Sequence, residues 1–444
     1  MSKVHILTYG CTANQADSQI MSAVLEKEGH KISDFNSADY VLVNTCAVKE
    51  ATENKIISKL GKFAKTDKKI IIGGCLPKVN LARIKKAVPN FAGILDTRSV
   101  DKLPGILKKI ESGGSNLLEF SDQPPIKPNL VKRIPDTISG IVQLSEGCDL
   151  SCTYCATTIA RGDLVCFPTE DIVRGVSYLV KEGCKEILLT SQDNGAYVHG
   201  KVKQPELLES IVAIDGEFFI RNGMTNPMYL KPFLNQLIEV YKSPKMYKFL
   251  HIPVQSGSNK VLQKMKRGYK IELFEKIVEE FRKEIPEITI STDIIVGFPE
   301  ETEEDFQETV NLVKKMKFDV LNISKFGSRP GTEAEKMEQV DKKEVNKRSA
   351  TLSVLVKKIF SENNKTWVGW SGRCLVNEIG KNGDLVARNP FYKPVVLDGV
   401  KNKSLLGSFV DVEITKAKET YLVGKITKAL NHRSLEAALA LQTR

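Results

Sequence analysis

The sequence predicts an α/β protein in three parts: a parallel, Rossmann-like α/β unit, an incomplete (β/α)6 barrel and a small C-terminal β-barrel. Over residues 1–112, and again over 134–365, short β-prone runs alternate with amphipathic helical stretches. That alternation is the pattern of parallel sheets with right-handed crossovers. Over 366–428 the helical periodicity gives way to short β-prone runs separated by Gly and Asn turns, as in a small barrel. Six of the nine cysteines follow predicted strands, three of them within one octet.

In the first unit, strands are predicted at Val4–Thr8, Tyr40–Val43, Lys69–Ile72 and Ile94–Leu95. Helices are predicted from Asn14, with Ile20, Met21, Val24 and Leu25 on one face, from Ala51, from Leu81 and up to about Glu111. Cys11, Cys46 and Cys75 each stand at the end of a strand, separated by 35 and 29 residues. One βα unit is about 30 residues long. Parallel strands deliver their C-terminal ends to one sheet edge, so these three thiols are expected to converge there. Three buried cysteines in strands by chance is the rival reading. Residues 112 to 138 hold Gly113-Gly114, Pro124-Pro125 and Pro128 without periodicity and read as a linker.

Gly140–Leu144 is an apolar run ending at Cys148-Asp149-Leu150-Ser151-Cys152-Thr153-Tyr154-Cys155, a C-x3-C-x2-C spacing. Soft thiolates hold iron well. Three of them serve a four-iron cluster and leave one iron open for a ligand. Three structural thiols, or part of a zinc site, are the alternatives; zinc usually takes four ligands, and no second C-x2-C pair follows. Further strands are predicted at Glu186–Thr190, Phe218–Arg221, Phe249–Pro253, Thr289–Val296 and Val320–Lys325, with helices such as Ile271–Glu284 and Glu303–Lys317 between them. With Gly140–Leu144 they make six. Active residues of such barrels cluster at C-terminal strand ends. The candidates there are Ser191, Gln192, Asp193, Arg221, Gln255, Ser256, Gly257, Gly297 and Ser328–Gly331. Cys166, Cys184 and Cys374 match no cluster spacing and read as structural, Cys166 being set apart by its nearness to the octet.

In the last unit, β-prone runs are Arg373–Val376, Leu385–Ala387, Val395–Leu397, Phe409–Ile414 and Tyr421–Ile426. Residues 366–428 carry ten Lys or Arg and six Asp or Glu. Arg388-Asn389-Pro390-Phe391-Tyr392-Lys393 interleaves aromatic and basic groups, so Arg388, Tyr392 and Lys393 are candidates for stacking on bases and pairing phosphates. A barrel that only packs on its neighbour is the rival reading.

Across 444 residues, 27% are charged and 41% hydrophobic, as in ordinary globular chains. The net charge of +11 favours a polyanionic partner, nucleic acid above membrane. No run of about 18 apolar residues suits a membrane span, and MSKVHILTYG lacks the shape of a signal peptide. Nine unevenly spaced cysteines point to metal binding or catalysis in a reducing cytoplasm rather than to disulfides.

The octet resembles the signature of radical S-adenosylmethionine (SAM) enzymes, with Tyr154 as the aromatic before the third cysteine. The resemblance implies a [4Fe-4S] cluster on Cys148, Cys152 and Cys155. It also implies SAM bound at the open iron through its amino and carboxylate groups, and SAM cleavage to a 5′-deoxyadenosyl radical. SAM contacts are then expected among Tyr154, Ser191, Gln192, Asp193, Gln255, Ser256, Gly297 and Arg329. Arg161-Gly162, and Asp293 before Ile294–Pro299, also fit.

Tyr9–Ser18 (YGC-x2-N-x2-DS), Asn44–Val48 (NTC-x-V, with Lys49 where Arg is frequent) and Gly73–Pro77 (GGC-x-P) resemble the methylthiotransferases. That resemblance implies an auxiliary [4Fe-4S] cluster on Cys11, Cys46 and Cys75. It further implies two SAM molecules per reaction, one methylating a cluster-borne sulfur, and calls for an electron donor and a sulfur donor. Arg161–Pro168, Ser191–Tyr197, Gly223–Pro227 and Lys336–Val340 are similar to the archaeal and eukaryotic branch acting on threonylcarbamoyladenosine in tRNA. Residues 366–428 are similar to a TRAM domain, an RNA-binding module. The expected activity is addition of a methylthio group to C2 of N6-threonylcarbamoyladenosine beside the anticodon, by a monomeric cytoplasmic enzyme. Isopentenyladenosine tRNA, a ribosomal-protein aspartate and a non-catalytic iron–sulfur RNA-binding role are the alternatives. Animal members of the branch carry a C-terminal membrane anchor, whereas Leu430–Arg444 is polar and too short to span.

Overall fold

Tyr40–Thr45 is buried throughout and Lys69–Gly74 nearly so, as strands covered by helices on both faces must be. In the computed structural model, which describes residues 1–132 and 137–429, these two runs form the middle of a six-stranded sheet. The order is Lys31–Ile32, Lys3–Thr8, Tyr40–Thr45, Lys69–Gly74, Gly93–Leu95, Leu117–Glu119, with every pairing parallel. Ile56, Leu60 and Phe63 cover one face against Val41, Val43 and Ile72. Ile20, Met21, Leu25 and Ile106 cover the other against Val4, Leu42 and Ile71. All four predicted strands are present, and two short edge strands join them. The stretch 112–138 is more than a linker: it supplies the edge strand Leu117–Glu119 and the 3₁₀ turn Lys127–Leu130. Three-residue elements carry no readable periodicity; pairing with Gly93–Leu95 decides the strand.

The middle part holds six parallel strands in chain order: Ser139–Gln143, Glu186–Thr190, Phe219–Arg221, Phe249–His251, Thr289–Val296 and Val320–Lys325. They form two three-stranded ladders joined where Ile220 bridges Met246. Ile187, Leu189, Ile220, Leu250, Ile290 and Ile294 share one large core with the helical residues Phe274, Ile277, Phe281 and Val313. Helix Lys342–Lys365, absent from the sequence reading, buries Val345, Leu352, Val356 and Ile359 and leads to the last part. Its other positions are mostly polar, which hides the stripe.

The last part is a closed five-stranded barrel in the order Ser371–Ile379, Leu385–Arg388, Pro394–Leu397, Leu422–Ala429, Phe409–Ala417. Leu375 and Phe409 pack on Phe219, Tyr247 and Phe249. Phe219 and Phe249 open their strands, so this barrel seals the N-terminal end of the larger one, opposite the strand end that leads into the octet. Among the described residues no helix is long and apolar enough to cross a membrane. The expectation for Leu430–Arg444 lies outside the described residues.

Candidate cluster and cofactor site

Adjacent parallel strands carry Cys11, Cys46 and Cys75 to one sheet edge. Asn14, fully buried on the first helix, ties them together. Its Oδ1 accepts from Cys11 Sγ at 3.3 Å, and its Nδ2 donates to Thr45 O at 2.9 Å and lies 4.0 Å from Cys75 Sγ. Asn44 Nδ2 donates back to Asn14 O at 2.8 Å. Two glycines permit this approach. Gly10 has φ +119° and a Cβ there would meet Cys46 Cβ at 3.0 Å. Gly74 has φ +94° and a Cβ would meet Thr45 O at 2.4 Å. Cys46 and Cys75 are buried while Cys11 is exposed, so the edge opens on one side. Burial pushes Cys46 up and Cys75 up to about 12. Both are thiols until a metal displaces the proton.

The octet hangs from the end of the first barrel strand. Gly147, at φ +81°, lies so close to Asp163 O that a Cβ would stand 2.1 Å from it. Cys148 N donates to Gly162 O at 3.2 Å, and Thr153 is held by Met265 O and Lys264 O. Cys155 Sγ donates to Thr157 Oγ1 at 3.0 Å, and Arg267 Nη1 donates to Cys152 Sγ at 3.3 Å. Burial raises Cys155, and Cys148 to about 12. Asp193 stands near Cys148; its Oδ1 accepts from Gly195 N and Asn226 N, its Oδ2 has no partner, and burial pushes it up to about 7. Thr225 Oγ1, Asn226 Nδ2 and Arg267 Nε are buried and unpartnered too.

These donor sets fit the implied groups. Each triad offers three thiols with an open side, and the orphaned polar atoms beside the octet suit a zwitterionic cofactor. Among the described residues no three His, Cys, Asp or Glu are gathered around a single ion. A four-iron cluster asks for no such convergence, since each thiolate ligates a different iron.

Between the triads lies a buried ion cluster. Lys127 Nζ contacts Asp17 Oδ1 at 2.6 Å and Glu146 Oε2 at 2.9 Å. Arg161 contacts Asp17 Oδ2 at 2.9 Å, Glu146 Oε2 at 3.0 Å and Asn14 Oδ1 at 3.5 Å. Two cations meet two anions, and the network joins the N-terminal helix, the connecting segment and the residues flanking the octet.

Of the predicted SAM contacts, Tyr154, Gln192 and Asp193 gather at the octet; Gln192 Oε1 accepts from Gly147 N at 2.8 Å. Ser191 Oγ donates to Asn194 at 2.6 Å, and Gln255 has a left-handed backbone at φ +74° beside Asp293. Ser256 is fully buried against Thr309, and a Cβ on Gly297 would stand 2.3 Å from Val345, so both serve packing. Arg329 is bound by buried Glu53 of the N-terminal unit, which Arg83 and Asn80 also hold. The sequence reading missed Arg267, Thr225 and Asn226, and also Tyr229, whose hydroxyl donates to Asp149 Oδ1 of the octet at 2.5 Å. Asn226 lay in a family-like stretch, whereas Arg267 sits in a basic loop with no signal of its own.

The structure places the predicted RNA contacts against the larger barrel. Tyr392 packs its ring 4.8 Å from those of Tyr247 and Phe249, and Arg388 lies over it at 4.6 Å. Lys393 is buried and pairs with Asp319 at 2.8 Å. Docking on the barrel has claimed this aromatic-basic run. Lys381, Lys401, Lys403, Lys416 and Lys418 are exposed cations of the small barrel.

The radical SAM superfamily model matches residues 142–313, the TRAM domain 367–427, and an uncharacterized family, UPF0004, residues 3–96. Two solved radical SAM enzymes share the fold. The methyltransferase TsrM from Kitasatospora setae has TM-score 0.56 at 15% identity, over 76% of this chain and 75% of that one. The cobalamin-dependent OxsB has TM-score 0.52 at 11%, over 81% and 56%. Fold and octet thus define a radical SAM enzyme, a class that implies SAM and a [4Fe-4S] cluster. The chain belongs to the family of threonylcarbamoyladenosine tRNA methylthiotransferases. A probable member from Pyrococcus abyssi is 41% identical over 96% of this chain and 100% of its own length. Those of Drosophila melanogaster and Homo sapiens are 36% and 34% identical over 96% of this chain, and 77% and 74% of theirs. None of these three carries the isopentenyladenosine or ribosomal-protein alternative in its name.

Proposed function

We propose that this protein adds a methylthio group to C2 of N6-threonylcarbamoyladenosine next to the tRNA anticodon. The observation that carries the reading is the pair of cysteine triads on either side of one interface, linked through Asn14 and Arg161. In this reading the units are 1–112, 134–365 and 366–428. Cys148, Cys152 and Cys155 hold one [4Fe-4S] cluster and Cys11, Cys46 and Cys75 a second. When bound, SAM and the clusters supply electron-driven SAM cleavage and the sulfur that is methylated and transferred. The chain's own residues hold and orient them. Arg267 Nε suits the SAM carboxylate, and Asp193 Oδ2 its ammonium group. Arg161 places a buried cation beside Cys75, which favours the charged, ligating form of that thiol against the cost of burial. The C-terminal barrel holds the tRNA through its exposed lysines. A monomer in the cytoplasm, served by separate electron and sulfur donors, completes the reading.

Nucleoside mass spectrometry of tRNA from cells with and without this protein tests the reaction. The methylthiolated nucleoside should vanish with the protein; unchanged levels overturn the proposal. Anaerobic reconstitution should give about eight irons per chain, and Cys148, Cys152 and Cys155→Ala about four.

A further inference from the structure

Arg267 is 4% exposed, yet among the described residues no carboxylate lies within ion-pair distance of it. A guanidinium cannot shed its proton, so its charge stays in the interior. Its contacts show where that charge is directed. Nη1 donates to Cys152 Sγ at 3.3 Å and lies 3.4 Å from the Tyr154 oxygen. Nη2 donates to Pro253 O at 3.4 Å, and Tyr269 lies under the guanidinium at 5.6 Å. The loop that carries it is shaped by left-handed residues on either side, Lys266 at φ +55° and Gly268 at φ +73°. Thr153, inside the octet, is bonded to the same loop through Met265 O at 3.3 Å and Lys264 O at 2.9 Å. The cysteine and its donor are therefore fixed to each other by backbone, not only by a side-chain contact.

Hydrogen bonds to ligand sulfur, and positive charge near it, stabilise the more negative reduced state of an iron–sulfur cluster and raise its potential. We propose that Arg267 is a positioning residue that sets the reduction potential of the octet cluster through its bond to Cys152 Sγ. This rests on the reading that the octet holds a cluster. Full-length protein with Cys11, Cys46 and Cys75→Ala serves as parent, so that one cluster reports. Its midpoint potential is measured by EPR-monitored titration, with iron content measured alongside. Arg267→Met should lower the midpoint by at least a tenfold change in the oxidised-to-reduced ratio, about 59 mV for one electron. Arg267→Gln keeps an amide donor without the charge, and should shift it in the same direction by less; it decides the matter if Arg267→Met holds no cluster. Variant midpoints within twofold of the parent's ratio overturn the role of Arg267. A parent that binds no iron overturns the cluster reading itself, a distinguishable result.

Discussion

Lys127 lies in a stretch that looks like a linker, yet its side chain is fully buried between Asp17 and Glu146. Replacing it by Met keeps much of the volume and removes the charge. Asp17 and Glu146 then face Arg161 alone, leaving one uncompensated buried negative charge. Breaking a buried ion cluster in this way costs about 3–5 kcal/mol, a large part of a native stability of about 5–15 kcal/mol. The loss falls on the docking of the N-terminal unit against the barrel, because the four groups come from both. Burial alone raises the Asp17 carboxyl, but Lys127 and Arg161 outweigh it and hold it below the usual range. Its contribution is therefore present above the unfolded value and lost only as pH falls through the lower folded one. From pH 8 to 5 the wild-type term is constant. In Lys127→Met the carboxyl should rise above its unfolded value, so the penalty is full at pH 8 and shrinks as protonation relieves it. Urea unfolding of the iron-free protein, followed by circular dichroism at both pH values, measures this without cluster binding in the balance. An unchanged midpoint, or a deficit equal at both pH values, would refute the reasoning.

Gly74→Ala should lower iron content and cost about 1–3 kcal/mol, because a Cβ at φ +94° meets Thr45 O at 2.4 Å; normal iron and stability would contradict it. Tyr392→Ala should destabilise the protein by about 2 kcal/mol, as its ring no longer packs on Tyr247 and Phe249, with both the affinity for tRNA and its salt slope unchanged; weaker tRNA binding by the folded variant would return Tyr392's loop to the RNA. Lys401, Lys403, Lys416 and Lys418→Gln together should reduce that slope by about one for each phosphate no longer neutralised; no change would place the tRNA elsewhere. Cys374→Ala should keep the full iron content, since Cys374 is buried in the core of the small barrel with Val376, Val410 and Val412, apart from either triad; a fall in bound iron, measured after anaerobic reconstitution, would contradict it.

Periodicity and spacing determined a large part of this protein. Tyr40–Val43 and Lys69–Ile72 were legible because a strand buried in a parallel sheet needs an apolar and β-branched run, here Tyr-Val-Leu-Val and Ile-Ile-Ile. Cys11, Cys46 and Cys75 were legible as a group because parallel topology carries every strand's C-terminal end to one edge. The octet was legible because its ligands are neighbours in the chain. Other assignments needed the fold. Arg388, Tyr392 and Lys393 have the composition of an RNA surface, but Phe219, Tyr247 and Phe249 offer them a larger apolar face across an interface no local pattern encodes. Arg329 ends a barrel strand region as a SAM contact would, yet Glu53, 276 residues away, holds it. Lys127 and Arg267 look like ordinary basic residues of loops. A buried charge is decided by what surrounds it in three dimensions, and the partners of these two come from segments that only tertiary packing brings together.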